Sequence, residues 1–266
     1  MKDETRRLNI LRISGTGAAK ERDLVVRETP VTIFLNDFDL VTLLCSPKDL
    51  GYLAVGFLSS EGLINGKEDI KSIFADKKDG AVWVETVGGK KLRENILAKR
   101  FITTGCGKGL SFIDSAKFRK GLKADSGFKM QANQIARSMK EFQSRSLTYR
   151  ETGGVHSAGL ASPDGIVYFN EDIGRHNAID KVLGECVLKG TKSDNLVMIT
   201  SGRVSSDILI KAARARIPIV ISKSAPTDLA VRLARDLGIT LVGFARGSRM
   251  NVYSNEWRIS AKPPAK

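Results

Sequence analysis

The sequence predicts an α/β protein, with a three-layer α/β domain in its C-terminal part and a smaller mixed α/β domain before it. Three observations carry this expectation. Short, continuous apolar runs at 196–200, 217–222 and 240–244 alternate with helical stretches at 206–216 and 226–237, the pattern of a mostly parallel sheet covered on both faces. Upstream, the chain is strand-rich and holds one well-marked helix, and the texture changes at Thr152-Gly153-Gly154-Val155-His156. Finally, 266 residues suffice for one large domain or two modest ones.

Taken in order, residues 1–20 read as a flexible tail in which Ser14-Gly15-Thr16-Gly17 shows no pattern. A mixed α/β domain is expected over 21–110, with strands at 24–27, 31–35 and 40–44 and a turn at Asn36-Asp37. Cys45 ends that apolar run as core packing. Ser46-Pro47 opens a helix, since serine caps helices and proline suits their first turn. Leu50, Leu53, Ala54, Phe57 and Leu58 line one face of it, and Gly62 lies past its end. Strands at 70–74 and 81–87 follow. Residues 111–150 read as a helical connection, broken near 121–127, whose Lys- and Arg-rich faces are solvated.

The C-terminal domain, 151–266, begins with a hairpin at 157–161 and 166–170 around Ser162-Pro163-Asp164-Gly165. In the next helix Ala178, Ile179, Val182, Leu183, Cys186 and Val187 share one face, which makes Cys186 a buried, inert thiol, and Gly190 closes the helix. The alternating strands and helices come after it. The last helix is capped by Thr227 or Asp228 and closed by Gly238.

The net charge of +14 speaks to partners rather than to fold. The basic residues are dispersed and aromatics make up only 6%, which argues against a nucleic-acid stacking platform. No apolar run is long enough to span a bilayer, and no basic amphipathic helix marks a membrane surface. A phosphate-bearing ligand fits the charge better. Residues 1–12 lack the apolar core of a signal peptide, and three widely spaced cysteines make no disulfide framework, so a cytoplasmic protein is expected. With no Cys-x-x-Cys and only two histidines, no metal site is expected.

Candidate chemistry gathers in a few glycine-flanked loops. In Phe101-Ile102-Thr103-Thr104-Gly105-Cys106-Gly107-Lys108-Gly109, the glycines permit a sharp turn, and Lys108 with unpaired N–H groups favours the thiolate of Cys106. The competing reading is a glycine turn with an incidental thiol. Ligands of parallel sheets bind beyond the carboxyl ends of the strands. There, Ser201, Gly202 and Arg203 run toward a helix N-terminus, and Ala245-Arg246-Gly247-Ser248-Arg249 offers two guanidiniums. Asp172, His176 and Asp180 stand four apart; on one helical face the carboxylates would raise the histidine pKa. His176 would then exchange protons or touch a ligand, unless it belongs to an ion-paired helix cap. His156 is read in the same way.

Cys106 and its loop, Thr152-Gly153-Gly154-Val155-His156, the block from Glu171 through Asp172, Ile173, Gly174, Arg175, His176 and Asn177 to Lys181, Ser201-Gly202-Arg203, Ser224-Ala225-Pro226-Thr227 and Gly243-Phe244-Ala245-Arg246 together resemble the FdhD family, over roughly residues 28–258. These are formate dehydrogenase accessory sulfurtransferases. The resemblance implies that a cysteine desulfurase loads sulfur onto Cys106 as a persulfide. The sulfur then passes to the molybdenum or tungsten of a bis(molybdopterin guanine dinucleotide) cofactor destined for formate dehydrogenase. It also implies a C-terminal domain similar to the cytidine deaminase fold without its zinc chemistry, and a homodimer. The cofactor-contacting loop carries over onto Phe244, Ala245, Arg246, Gly247, Ser248 and Arg249; Ser201, Gly202, Arg203, His156, Asp172 and His176 are expected beside it. One departure stands out: many members carry a Cys-Gly-x-Cys-Gly pair, whereas Cys106 is alone, with Gly109 or Thr103 in the other place. The alternatives are a non-catalytic chaperone for the cofactor and a deaminase-like hydrolase that would need zinc.

Overall fold

The computed structural model describes residues 4–87 and 121–260. It opens on an antiparallel ribbon, β1 (Thr5–Ser14) and β2 (Gly17–Val26), that turns at Gly15-Thr16. This ribbon corrects the expected flexible tail, and the expected strand at 24–27 is only its last part. Nothing in the sequence marks it because both faces are largely solvated, so no apolar alternation is required; Leu11 is 59% and Ile13 75% exposed. The ribbon is fastened at its base, where the Arg27 N–H donates to the Glu4 carbonyl at 2.7 Å and Val26 packs on Gly154.

Next comes a sheet of β3 (Thr29–Leu35), β4 (Phe38–Cys45), β5 (Ile70–Asp76) and β6 (Ala81–Thr86) in the order β4-β3-β6-β5. Only β3 and β6 pair in parallel. Val31, Ile33 and Leu35 alternate onto one face and, with Val82 and Val84, pack against α1 (Leu50–Ser60). On the other face Phe34 stacks on Trp83 at 5.4 Å and Phe74 leans on it at 5.6 Å. The helix starts later than expected, behind Asp49 at φ 53°. Ser46 does not cap it: its N–H donates to Asp172 Oδ2 (3.0 Å) and its hydroxyl accepts from the Ile173 N–H (3.2 Å).

The C-terminal part is built on six strands: β8 (His156–Ser162), β9 (Gly165–Asp172), β10 (Val197–Thr200), β11 (Ile219–Ser222), β12 (Thr240–Arg246) and β13 (Arg249–Ser254), ordered β13-β12-β11-β10-β8-β9. The preceding β7 (Met130–Gln131) pairs with β14 (Ile259–Ser260). The three strands expected to lie parallel do so, as β10–β11 and β11–β12, and β8–β9 is the expected hairpin. Antiparallel neighbours flank them: β8 runs against β10, and a two-residue turn folds β13 back on β12. Ala158, Leu160, Met198, Val220 and Leu241 face α4 (Arg175–Leu188), α5 (Ser206–Arg214) and α6 (Asp228–Asp236). Val197, Ile199, Ile219, Ile221 and Val242 face α2 (Ala132–Arg145), so the expected three layers are present.

In the described part of the expected helical connection, α2 and α3 (Leu147–Thr152) are helical but residues 123–129 are not. That irregular run is held by the buried Arg258 guanidinium, which donates to the carbonyls of Ala124 (3.1 Å) and Ser126 (2.7 Å). α1 crosses α4 backbone to backbone: a methyl group on Gly184 would overlap the Tyr52 carbonyl, and one on Gly56 the Asp180 carbonyl. Two buried ion pairs flank the crossing. Lys181 meets Asp172 at 2.7 Å and also donates to the Ser46 carbonyl, while Lys211 meets Asp180 at 2.7 Å, where Ser60 donates a further hydrogen bond.

Candidate functional site

The carboxyl ends of β10, β11 and β12 lie side by side, and their loops are stitched together. Val204 N–H donates to the Ala225 carbonyl (3.1 Å), Thr227 N–H to the Val204 carbonyl (3.0 Å), and Phe244 N–H to the Ser224 carbonyl (3.0 Å). Because β8 runs against β10, its first residue, His156, reaches this same edge, opposite Asp172 at the end of β9. The chain then enters α4 directly. The strand-end loops, His156 and the start of α4 thus share one crevice.

Ser201 ties two strands: its hydroxyl accepts from the Ser157 N–H (3.0 Å) and lies 3.3 Å from His156 Nδ1. The next residue, Gly202, donates to Thr200 Oγ1 (3.2 Å) and accepts from the Ser222 hydroxyl (2.7 Å). A methyl group at Gly202 would sit 3.0 Å from Arg175 Cβ and 3.1 Å from its Cδ, so the glycine lets the arginine stem cross the loop. Arg203 points into solvent.

Phe244 adopts φ 52°, a left-handed conformation rare for an aromatic residue, within an irregular stretch of the β12–β13 pairing. Such strain costs on the order of 1–3 kcal/mol and gathers at functional sites. The Ala245 side chain is buried in the core on the α2 face, so only its backbone can meet a ligand. Arg246 and Arg249 pair across the exposed Gly247-Ser248 turn, and Arg246 Nε donates to the Lys223 carbonyl (3.3 Å).

The expected electrostatics of His176 are reversed. Burial and then Arg175 and Lys211 push its pKa below the ordinary value, outweighing Asp180 and Asp207. Asp172 lies on β9, not on the helix, and its carboxylate serves Lys181 and the N–H groups of Ser46 and Gly174. Having no exposed surface, Asp172 supports the crevice from below instead of facing a ligand. Asp180 is likewise engaged by Lys211 and Ser60. His156 is also held below its ordinary pKa, by burial first and by Arg175 second.

Sequence reasoning overlooked Arg175, although it is the one cation in the run 171–177 and sits where a helix begins. Its Nε, His176 Nε2 and Ser205 Oγ are buried without hydrogen-bond partners among the described residues. Cys106 lies outside the described residues. The other two cysteines are buried: burial, reinforced by Asp172, pushes the Cys45 thiol up to about 12, and burial with Glu185 pushes Cys186 up to about 11. Among the described residues no three His, Cys, Asp or Glu side chains gather as metal ligands, and no helix is long and apolar enough to cross a membrane. A cavity of about 1360 Å³ opens elsewhere, between the ends of α1, α4 and α5, and among the described residues none of those expected at the site lines it.

A family model described as the FdhD/NarQ family matches residues 26–260. The sulfur carrier protein FdhD of Listeria innocua serovar 6a is 43% identical over 238 residues, 89% of this chain and 91% of the relative. The sulfur carrier protein FdhD of Bacillus subtilis strain 168 is 40% identical over 241 residues, 91% of this chain and 92% of the relative. A crystal structure of a formate dehydrogenase accessory protein from Desulfotalea psychrophila superposes with a TM-score of 0.80 at 28% identity, covering 97% of this chain and all of that one.

Proposed function

This chain belongs to the FdhD/NarQ family, and from that premise we propose that it is a sulfur carrier whose working thiol is Cys106. A cysteine desulfurase presents a persulfide, and the Cys106 thiolate attacks its outer sulfur. The donor's S–S bond breaks, a new one forms on Cys106, and the donor cysteine leaves as thiolate. The sulfur so carried is destined for the molybdenum or tungsten of a guanine dinucleotide cofactor, the cargo, before that cofactor enters formate dehydrogenase. The setting is the cytoplasm.

The observation that carries this reading is the state of the other two thiols. Cys45 and Cys186 are buried and held protonated, so neither supplies a nucleophile near neutral pH, and Cys106 is the third of three. The crevice suits the cargo. Arg246 and Arg249 are exposed and paired across a turn, which fits them to phosphate oxygens.

Intact mass after incubation with a cysteine desulfurase and cysteine tests the proposal. One added sulfur on the wild type, absent from Cys106→Ala, is the expected outcome; equal loading of both proteins would overturn it. The lone cysteine of the 103–109 loop favours one second reading, a chaperone that only shelters the cofactor. In that case Cys106→Ala would still mature formate dehydrogenase.

A further inference from the structure

We propose that the β1–β2 ribbon anchors the protein reversibly to an anionic lipid surface, apolar end first. The inference stands apart from the crevice and from Cys106. In the antiparallel register of the ribbon, directly opposed residues share a face. One face carries Arg7 opposite Leu24, Asn9 opposite Arg22, Leu11 opposite Lys20 and Ile13 opposite Ala18. It holds three cations and no carboxylate. The other face is neutralised within itself, since Arg12 meets Glu21 at 2.7 Å and Asp23 at 3.7 Å. The ribbon is therefore cationic on one side only, along about 30 Å of strand.

That side is also sorted along its length. The run from Ile13 around the turn to Ala19 is uncharged, and Ile13 and Leu11 stand 75% and 59% exposed. Lys20, Arg22 and Arg7 come behind them, toward the base. Fastening is at the base, where Glu4 holds Arg27 by its carbonyl and Lys48 by its carboxylate, and every residue from Leu11 to Arg22 is exposed. A bilayer presents the complementary order, hydrocarbon beneath and phosphates above. Lysine and arginine stems lie along apolar surface while their heads stay at headgroup level. Nucleic acid is a poorer match: the ribbon has no aromatic side chain to stack on a base, and a phosphate backbone would leave its aliphatic groups in water. An acidic protein surface matches the charge but gives no reason for apolar groups to gather at the free end.

Cosedimentation of the full chain with vesicles of phosphatidylcholine, with and without about one-third phosphatidylserine, tests this. Wild type should bind the anionic vesicles at least tenfold more tightly. Arg7→Ser/Lys20→Ser/Arg22→Ser should lose about tenfold or more, whereas Lys77→Ser/Lys78→Ser/Lys140→Ser, which removes equal charge elsewhere, should lose far less. Leu11→Ser/Ile13→Ser should also weaken binding. Ile13→Trp in a Trp83→Phe/Trp257→Phe background should shift its emission to the blue on anionic vesicles. Indifference of wild type to phosphatidylserine would overturn the proposal, whatever the variants do. So would equal losses in the two charge variants, full binding by Leu11→Ser/Ile13→Ser, or an unshifted emission. Tighter ribbon-dependent binding to duplex DNA than to the vesicles would overturn it as well. Sulfur loading of Cys106 by the desulfurase in free solution should be unchanged in Arg7→Ser/Lys20→Ser/Arg22→Ser; a parallel fall would make the ribbon a contact for that protein and overturn the lipid assignment.

Discussion

His156 and His176 are the chain's two histidines, and both are kept neutral by burial and by the guanidinium of Arg175. In the unfolded chain each titrates near its ordinary value; in the folded protein, lower. Between those two values the unfolded state holds more protons. Stability is therefore full above about pH 6.5 and is lost as the pH falls through the folded values. Each ring contributes a slope of at most about 1.4 kcal/mol per pH unit. Urea denaturation between about pH 7.5 and 5.5 should show a falling midpoint, and the double variant His156→Gln/His176→Gln should flatten it. Sequence spacing led to the opposite sign for His176, since it shows which carboxylates are near in the chain but neither the burial of the ring, the largest cause, nor which cations stand beside it. Lys181 and Lys211 take Asp172 and Asp180 from positions that helical periodicity does not reveal. Arg175 was missed for a related reason: what sets it apart is the glycine lying under its stem, twenty-seven residues further along.

Among the elements, those whose signals are local were legible. The apolar face of α4 and the glycines closing α4 and α6, Gly190 and Gly238, sit where periodicity and backbone freedom put them, both at positive φ. Thr227 caps α6 by accepting from the Ala230 N–H. The start of α1 was not legible, because Ser46 is drawn away from a cap by the end of β9, a contact between residues 126 apart. The β1–β2 ribbon was missed because it buries little, and the place of β8 against β10 was not legible because it depends on partners distant in the chain. The crossing of α1 over α4 was equally hidden, and it sets a strong constraint. Gly184→Ala should cost about 3 kcal/mol or more in chemical denaturation, since the added methyl meets the rigid backbone of Tyr52 and cannot be accommodated by a side chain turning aside. A loss of less than about 1 kcal/mol would mean the helices can slide apart at little cost.

At the scale of the whole molecule, the position of the crevice could be read from the sequence, because the strand-end rule depends only on which loops follow which strands. Its composition could be read only in part: His156 was expected there, but what carries it to that edge, the antiparallel run of β8 against β10, is set by pairing between distant stretches of chain. The close-packed seam between α1 and α4, with its two buried ion pairs, joins the sheet of β3–β6 to the sheet of β8–β13. The chain's two tryptophans fall on either side of that seam: Trp83 between Phe34 and Phe74, and Trp257 with its ring 4.0 Å from the Arg258 guanidinium. The protein therefore carries a built-in optical reporter in each half. Trp83→Phe and Trp257→Phe each leave one emitter, and coincident fluorescence melts of the two variants would register a single cooperative unit. Two separate midpoints would show that the halves come apart in sequence.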